Sequence, residues 1–411
     1  MDMKISPLVP ADFPDMPDVK GLKIKTYEAR VVYKNRDDLL LVKFAQGTQV
    51  AGVFTKSRTR SASVEWCVKH LASGAQGRLL MVNSGNSNAF TGAAGERSVV
   101  GILSHLAEKF SIKSSEIYTS STGVIGELLS GQDLLDVVDV DKVSAVENAY
   151  IAAADAIKTT DTFAKYATRS VKIGGERVTI NIIAKGSGMI APDMATMLSY
   201  IFTDANISKN ALQKILNVAV GKSFNSITVD SDTSTSDTVL LFATGASDAA
   251  HIDDAGDVRL AEFVAATDEL CLEMAQQIVK DGEGATKFIT VKINGAEDDR
   301  AAKVIGLSIA NSPLVKTAIA GEDANWGRII MAIGKSGEMA DRDLIEIAIG
   351  GVKITQNGQV VDDYDETPVT QHMQGQYVDI DVNLGLGGGE ARVYTCDLTH
   401  GYIEINADYR S

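Results

Sequence analysis

The fold is decided by residues 171–202, which read VKIGGERVTINIIAKGSGMIAPDMATMLSYIF. Apolar and polar residues alternate on both sides of Gly174-Gly175. Alternation around a two-glycine turn predicts a β-hairpin. A second alternating run from Met197 to Phe202 predicts a further strand. The stretch therefore predicts a hairpin that a loop joins to another strand.

The loop between them, residues 185–198, has an unusual composition. It holds three methionines and two alanines but almost no solvating charge. On composition alone, the simpler interpretation is a Gly/Pro connection between two strands. An exposed loop would normally be more polar, so a buried loop beside an active site is the alternative hypothesis.

Within this loop, Ala195-Thr196 places a hydroxyl after a small residue. A threonine hydroxyl is a weak nucleophile and needs an adjacent base. If the peptide bond before Thr196 were cut, the new α-amino group, with an ordinary pKa of about 8, would be that base. Such a threonine needs no histidine partner.

The rest of the chain mixes both kinds of secondary structure. Apolar spacing predicts helices in four places: at 97–110 with Val100, Leu103, Leu106, Ala107 and Phe110 inward, around Val143, Val146, Tyr150, Ala153 and Ile157, from Ser208, and at 260–278. Strands are predicted at 39–42, 79–82, 344–349, 352–354 and 377–382, with a type I′ turn at Asn357-Gly358. This mixture predicts stacked sheet and helix layers.

Composition limits the classes of function. The 411 residues carry a formal net charge of −15, which argues against a nucleic-acid-binding surface. No apolar run approaches the roughly 20 residues that span a bilayer, and the N-terminus lacks signal-peptide features. The three cysteines and five histidines show no metal-ligand spacing. We therefore expect a cytoplasmic protein without metal that acts on small molecules.

Several motifs in order resemble one known family. GSGMIAPDMATML at 186–198 resembles the cleavage segment of the ornithine acetyltransferase family, the bifunctional glutamate acetyltransferases of arginine biosynthesis. Further resemblances lie at 83–92, 121–126, 159–162, 281–287, 312–329 and 405–411. Several long motifs in register are far more specific than one short pattern.

The resemblance implies a fold and an assembly. The expected fold is a mixed α and β, αββα-like sandwich similar to that of N-terminal-nucleophile enzymes. The chain is expected to cut itself between Ala195 and Thr196. The cut would give two intimately associated fragments, 1–195 and 196–411, and a heterotetramer with two copies of each.

The resemblance also assigns roles to individual residues. Thr196 matches the nucleophile, and Thr122 with Gly123 matches the oxyanion hole, where a hydroxyl and an amide can hold a developing negative charge. Substrate contacts correspond to Thr162, Lys185, Thr196, Glu283, Asn406 and Ser411. Without the resemblance, residues 121–126 would be interpreted as a strand-end turn. Lys185 and Glu283 would be interpreted as solvated surface groups.

The implied reaction is ping-pong transfer of an acetyl group from N2-acetylornithine to glutamate. It needs no cofactor, although some family members also take acetyl-CoA as a donor. Two alternatives stay open. The same nucleophile could serve an amidase or aminopeptidase with water as acceptor, or the chain could be a non-catalytic binding protein that keeps the fold.

Three other features have simpler interpretations. Gly385–Gly389 resembles a phosphate-binding loop, but the residues that follow predict a strand, so we expect a tight turn. Cys271 lies on an apolar helix face and is expected in the core. Asp230, Asp232 and Asp237 lie among serines and threonines and are expected to form a hydrogen-bonded turn rather than a cation site.

Overall fold

A computed structural model describes residues 4–139, 149–191 and 197–407. The strands are β1 (Leu22–Tyr27), β2 (Leu39–Phe44), β3 (Gln49–Phe54), β4 (Leu79–Asn86), β5 (Ile117–Val124), β6 (Lys165–Ile173), β7 (Glu176–Lys185), β8 (Leu198–Thr203), β9 (Thr238–Ala243), β10 (Phe288–Ala296), β11 (Glu346–Ile349), β12 (Val352–Gln356), β13 (Gln359–Val360), β14 (Tyr377–Asn383) and β15 (Gly389–Cys396). The helices are α1 (Ala62–Ala72), α2 (Gly92–Phe110), α3 (Gly131–Asp136), α4 (Ala149–Ala156), α5 (Lys209–Lys222), α6 (Ala261–Lys280), α7 (Asp299–Ala310), α8 (Pro313–Ala320), α9 (Trp326–Gly334), α10 (Thr367–Met373) and α11 (His400–Asn406).

Two sheets form the centre of the molecule. The first has four strands in the order β1-β2-β4-β5, and the second has five in the order β3-β9-β8-β7-β6. The predicted hairpin is β6–β7, which pairs antiparallel from Lys165↔Ala184 to Ile173↔Glu176. The predicted further strand is β8, which lies between β7 and β9. The stretch at 171–202 thus contributes to three adjacent strands of the five-stranded sheet, from β6 at its edge to β8 at its centre.

The two sheets pack face to face and carry helices on their outer faces. Leu40 and Val42 of the first sheet share a buried cluster with Tyr200, Phe202 and Phe242 of the second. The outer face of the first sheet packs on α2, and that of the second packs on α5 and α6. The expected αββα-like sandwich is confirmed. Because the central strands bury apolar side chains on both faces, each sheet packs against the other sheet on its inner face and against helices on its outer face.

A third sheet, in the order β13-β12-β11-β14-β10-β15, forms a second core with α7, α8 and α9. Its strand β15 also reaches the sandwich, since Tyr394 and Cys396 belong to the cluster around α6. The turn from α6 into β10 therefore lies where the two parts meet.

Most local predictions agree with the structure. Ser208 caps α5 by accepting from the Ala211 N–H, and Cys271 is fully buried. Asn357 and Gly358 have φ of 51° and 72°, as a type I′ turn requires. Residues 385–388 lie in the connection between β14 and β15, and Gly389 begins β15.

One inward residue was predicted wrongly. Val100 is 41% exposed, and the buried face of α2 carries Val99 and Ile102 beside the predicted Leu103, Leu106 and Phe110. The other four predicted residues are buried, and Val99 takes the place expected for Val100 on that face. Val143 and Val146 lie outside the described residues.

Over the ranges that the structure describes, no helix combines the length and apolar character that a bilayer crossing needs.

Candidate active site

A cavity of about 410 Å³ opens where strands of both central sheets end. The carboxyl ends of β5 and β7 contribute Thr122, Gly123 and Lys185, and Met197 lies immediately before β8. The loop before β9, the turn after α6 and the C-terminal helix α11 complete the walls. The lining side chains there are Asp230, Asp232, Thr233, Ser234, Thr235, Ser236, Asp237, Glu283, Tyr402 and Asn406.

Thr122 is followed by Gly123, a position that only glycine can occupy. Gly123 has a φ of 129°, and a Cβ added there would lie 2.2 Å from the carbonyl carbon of Gly85. The backbone of β4 therefore passes directly against β5 at this point. Thr122 is 8% exposed, and its Oγ1 accepts a hydrogen bond from Lys185 Nζ at 3.3 Å.

Among the described residues that line the cavity, Lys185 is the one with a cationic side chain. Its ammonium donates to Thr159 Oγ1 at 2.8 Å as well as to Thr122. Burial lowers the pKa of Lys185, while the nearby carboxylate of Asp161 raises it. Because Lys185 donates to two neutral hydroxyls, its ammonium is well suited to receive an anionic group.

Glu283 faces Lys185 from the turn after α6. Its Oε2 accepts from Asn406 Nδ2 at 2.7 Å, so the two predicted contacts form one unit. Burial raises the pKa of the Glu283 carboxyl. A Cβ on Gly188 would come within 2.4 Å of the Glu283 carboxyl group, which explains the glycine in the loop opposite.

A buried ion network lies behind these walls. Lys165 Nζ contacts Asp161 Oδ1 at 2.7 Å and Asp281 Oδ2 at 2.5 Å, and all three side chains are fully buried. Burial opposes ionisation of Asp161, but the ammonium groups of Lys165 and Lys185 keep its pKa below the ordinary value. Asp161 also accepts from the Gly186 N–H at 2.6 Å, which fixes the backbone beside Lys185.

The acidic loop 230–237 forms a hydrogen-bonded turn as expected. Asp230 accepts from the backbone N–H groups of Met189, Ile190 and Asp232. Within the described part of the chain, no group of three or more His, Cys, Asp or Glu side chains could hold a metal ion.

Sequence comparison places these residues in a known family. The ArgJ family matches residues 23–411. This chain belongs to the ArgJ family. It is 52% identical over 414 residues to the arginine biosynthesis bifunctional protein ArgJ of Agrobacterium fabrum, with 100% of both chains covered. It is 53% identical over 409 residues to the ArgJ protein of Ruegeria pomeroyi, with 99% of each covered.

One solved structure is similar over half of this chain. The crystal structure of ArgJ from Bacillus halodurans matches with a TM-score of 0.50 and 42% identity, and covers 52% of this chain and 100% of that one. The family and the enzyme class expected from the sequence motifs are thereby confirmed.

The structure brings together five of the residues that were predicted from the family motifs. Thr122, Gly123, Lys185, Glu283 and Asn406 all line the one cavity. Ala195, Thr196 and Ser411 lie outside the described residues, so their roles stay predictions.

Thr162 is not brought to the cavity. Its hydroxyl contacts the Asp281 carboxylate and accepts from the Ser6 N–H at 3.0 Å, so it belongs to the buried network. Thr159 and Thr160, from the same TTDT motif, line the cavity instead. Sequence reasoning missed them because four adjacent polar residues give no sign of which ones point inward.

The ion network gives a stability prediction. We expect Lys165→Met to lower the free energy of unfolding by about 3–5 kcal/mol, because it leaves buried carboxylates without their cation. The matched control is Lys20→Met, which removes an ion pair with Asp248. The side chains of Lys20 and Asp248 are 62% and 83% exposed. That control should cost less than about 1 kcal/mol. Thermal and urea unfolding would measure both, and equal losses would contradict the assignment.

Proposed function

We propose that this ArgJ protein is a self-cleaving acyltransferase that moves an acetyl group from N2-acetylornithine to glutamate. The observation that carries the proposal is the cavity itself. It joins Thr122-Gly123, Lys185 and Glu283 on walls beside Met197, the residue that follows the proposed nucleophile Thr196.

The proposed cut lies between Ala195 and Thr196. The Thr196 hydroxyl would attack the Ala195 carbonyl, and the freed α-amine would then serve as the base for transfer. The solved Bacillus halodurans chain supports this proposal, because all of it matches only 52% of the present chain. That is the share expected of a fragment such as 196–411.

Acetyl transfer passes through a tetrahedral intermediate with a developing negative charge. Thr122 and Gly123 are the proposed donors to that charge. Their support is geometric, since both lie on the cavity wall and the Thr122 hydroxyl already faces the Lys185 ammonium.

The charges of the cavity fit an amino acid with a cationic side chain. Lys185 would hold the α-carboxylate of acetylornithine, and Glu283, oriented by Asn406, would hold its side-chain ammonium. Ornithine then leaves, and the acetyl-threonine passes its acetyl group to glutamate. Ser411 is retained as a proposed substrate contact.

The transfer exchanges one amide for another and needs no cofactor in this scheme. Acetyl-CoA is a second donor to be tested in the same assay. We further propose that the two fragments assemble as a heterotetramer with two copies of each.

The rival reaction is hydrolysis by the same nucleophile. Incubation with acetylornithine, with and without glutamate, separates the two. A transferase forms N-acetylglutamate and releases ornithine in step with it, whereas an amidase releases acetate whether or not glutamate is present. Acetate as the main product would reject the proposal.

The first prediction concerns the cut. Purified protein should run as two fragments on a denaturing gel, with threonine at the N-terminus of the second. Thr196→Ala should abolish both cleavage and transfer, because it removes the only hydroxyl proposed to attack Ala195. Thr317→Ala, at an exposed position on α8, is the control and should cleave normally. A Thr196→Ala chain that still cuts would require another nucleophile or a protease.

The second prediction concerns the oxyanion hole. Thr122→Ala should lower kcat by about 10²–10³ with a much smaller change in KM, since the hydroxyl matters most when charge develops. Steady-state kinetics on protein shown to be cleaved would measure this, with Thr317→Ala again as control. A tenfold rise in KM at unchanged kcat would make Thr122 a substrate-binding residue instead.

The third prediction separates two threonines of one motif. Thr159→Val should raise KM for acetylornithine about tenfold, because it removes the closer of the two hydroxyls that accept from Lys185, a bond to a charged group worth about 1.5–3 kcal/mol. Thr162→Val should instead lower the unfolding temperature, since it takes a donor from buried Asp281. If Thr162→Val changed KM while Thr159→Val did not, the hydroxyl expected from the family motif would be the contact.

A further inference from the structure

The chain just before the proposed cut is held by a carboxylate. Met189 N–H and Ile190 N–H donate to the two oxygens of Asp230 at 2.6 and 2.8 Å. Hydrogen bonds to an ionised acceptor are roughly twice as strong as neutral ones. Met189 has a φ of 56°, which is an uncommon value for a residue with a side chain. Asp230 therefore fixes a backbone conformation that the sequence alone does not favour.

The same loop makes further contacts on this side. Thr228 Oγ1 donates to the Ile190 carbonyl at 3.0 Å, and Val229 N–H donates to it at 2.6 Å. Thr233 Oγ1 donates to the Ala191 carbonyl at 2.9 Å. The backbone from 189 to 191 is thus held at consecutive residues.

The loop also holds the chain after the proposed cut. At its other end, Thr238 N–H donates to the Met197 carbonyl at 2.9 Å. The loop 228–238 belongs to the proposed second fragment, while residues 189–191 belong to the first. One loop therefore fixes both flanks of the bond proposed to break.

We propose that Asp230 is a positioning residue for self-cleavage, which it promotes by fixing the backbone at Met189 and Ile190. This inference rests on the proposed cleavage at Ala195-Thr196. Asp230 acts through the backbone rather than at the reacting atoms, since both of its oxygens accept backbone N–H groups and one also accepts from the Tyr402 hydroxyl at 3.3 Å.

The step that needs this alignment is the first one. The Thr196 oxygen forms an ester with the Ala195 carbonyl carbon, the C–N bond breaks, and the hydroxyl proton ends on the new α-amine. Water then hydrolyses the ester to an Ala195 carboxylate and restores the Thr196 hydroxyl. Attack within a chain depends steeply on geometry, whereas the later hydrolysis uses freely diffusing water.

The test follows cleavage of the full chain during cell-free synthesis with a labelled amino acid. Asp230→Asn keeps the size of the side chain but replaces one acceptor oxygen with an NH₂ group, which cannot accept from a backbone N–H. We expect its first-order cleavage rate to fall at least tenfold. Asp254→Asn is the matched control, because exposed Asp254 also accepts a backbone N–H, from Gly256, away from the cavity. The control should cleave at the wild-type rate.

Two readouts separate positioning from general stability. Hydroxylamine cleaves an ester. If Asp230→Asn blocks the first step, in which the ester forms, hydroxylamine should not restore cutting of this variant. Restored cutting would overturn the proposal. The unfolding temperature, measured in a Thr196→Ala background that stays uncut, should change little. If Asp230→Asn fails to fold, Thr228→Val decides, since it leaves Asp230 in place and removes the hydroxyl bond to Ile190 together with one acceptor for the Ser231 N–H.

The outcomes for cleavage and for Asp230 are distinct. A wild-type chain that never cuts would reject the proposed function, whatever Asp230 does. A wild-type chain that cuts while Asp230→Asn, or Thr228→Val in its place, cuts equally fast would reject the positioning role alone.

Discussion

The candidate site depends on one buried ammonium. Lys165 Nζ holds Asp161 and Asp281 together, and these carboxylates bind the backbone or side chains of three separate segments. Asp161 orders the threonine motif through the Thr159 N–H and the end of β7 through the Gly186 N–H. Asp281 binds Thr162 and lies two residues before Glu283. The positions of Thr159, Lys185 and Glu283 therefore follow from a single ion network.

This network contributes geometry more than net stability. Desolvating three charges costs several kcal/mol per ion, and their attraction roughly offsets that cost. The pKa of Asp161 is lowered, so its stabilising effect is present above the ordinary carboxyl pKa of about 4 and is lost as pH falls through the folded value. The pKa of Lys165 is raised, so its effect is lost only when pH rises through that higher value. Asp281 differs from Asp161, because burial raises the pKa of its carboxyl despite the nearby Lys165 ammonium.

Local pattern predicted more of the fold than of the site. The hairpin β6–β7, the caps and the Asn357-Gly358 turn could be predicted, because each depends on neighbours in sequence. Val100 was misplaced because several registers of an apolar stripe fit the same residues of α2. Thr162 and Thr159 could not be told apart, since their orientations depend on Asp281 and Lys185, which are distant in sequence. Asp230 was expected in a turn, but its partners Met189 and Ile190 could not be inferred from spacing.

The strand order explains how a cut chain could keep such a site. In the five-stranded sheet, β8 and β9 follow the proposed cut, while β3, β6 and β7 precede it. Strand β8 is buried along its whole length and pairs with β7 from Ile180↔Thr203 to Lys185↔Leu198. On the other side, β9 pairs with β3. Because the strands of both parts are interleaved in one sheet, separating the fragments would expose the cores on both of its faces. Cleavage at Thr196 would therefore free an α-amine while the five-stranded sheet continues to hold Lys185 and the four-stranded sheet packed on it holds Thr122.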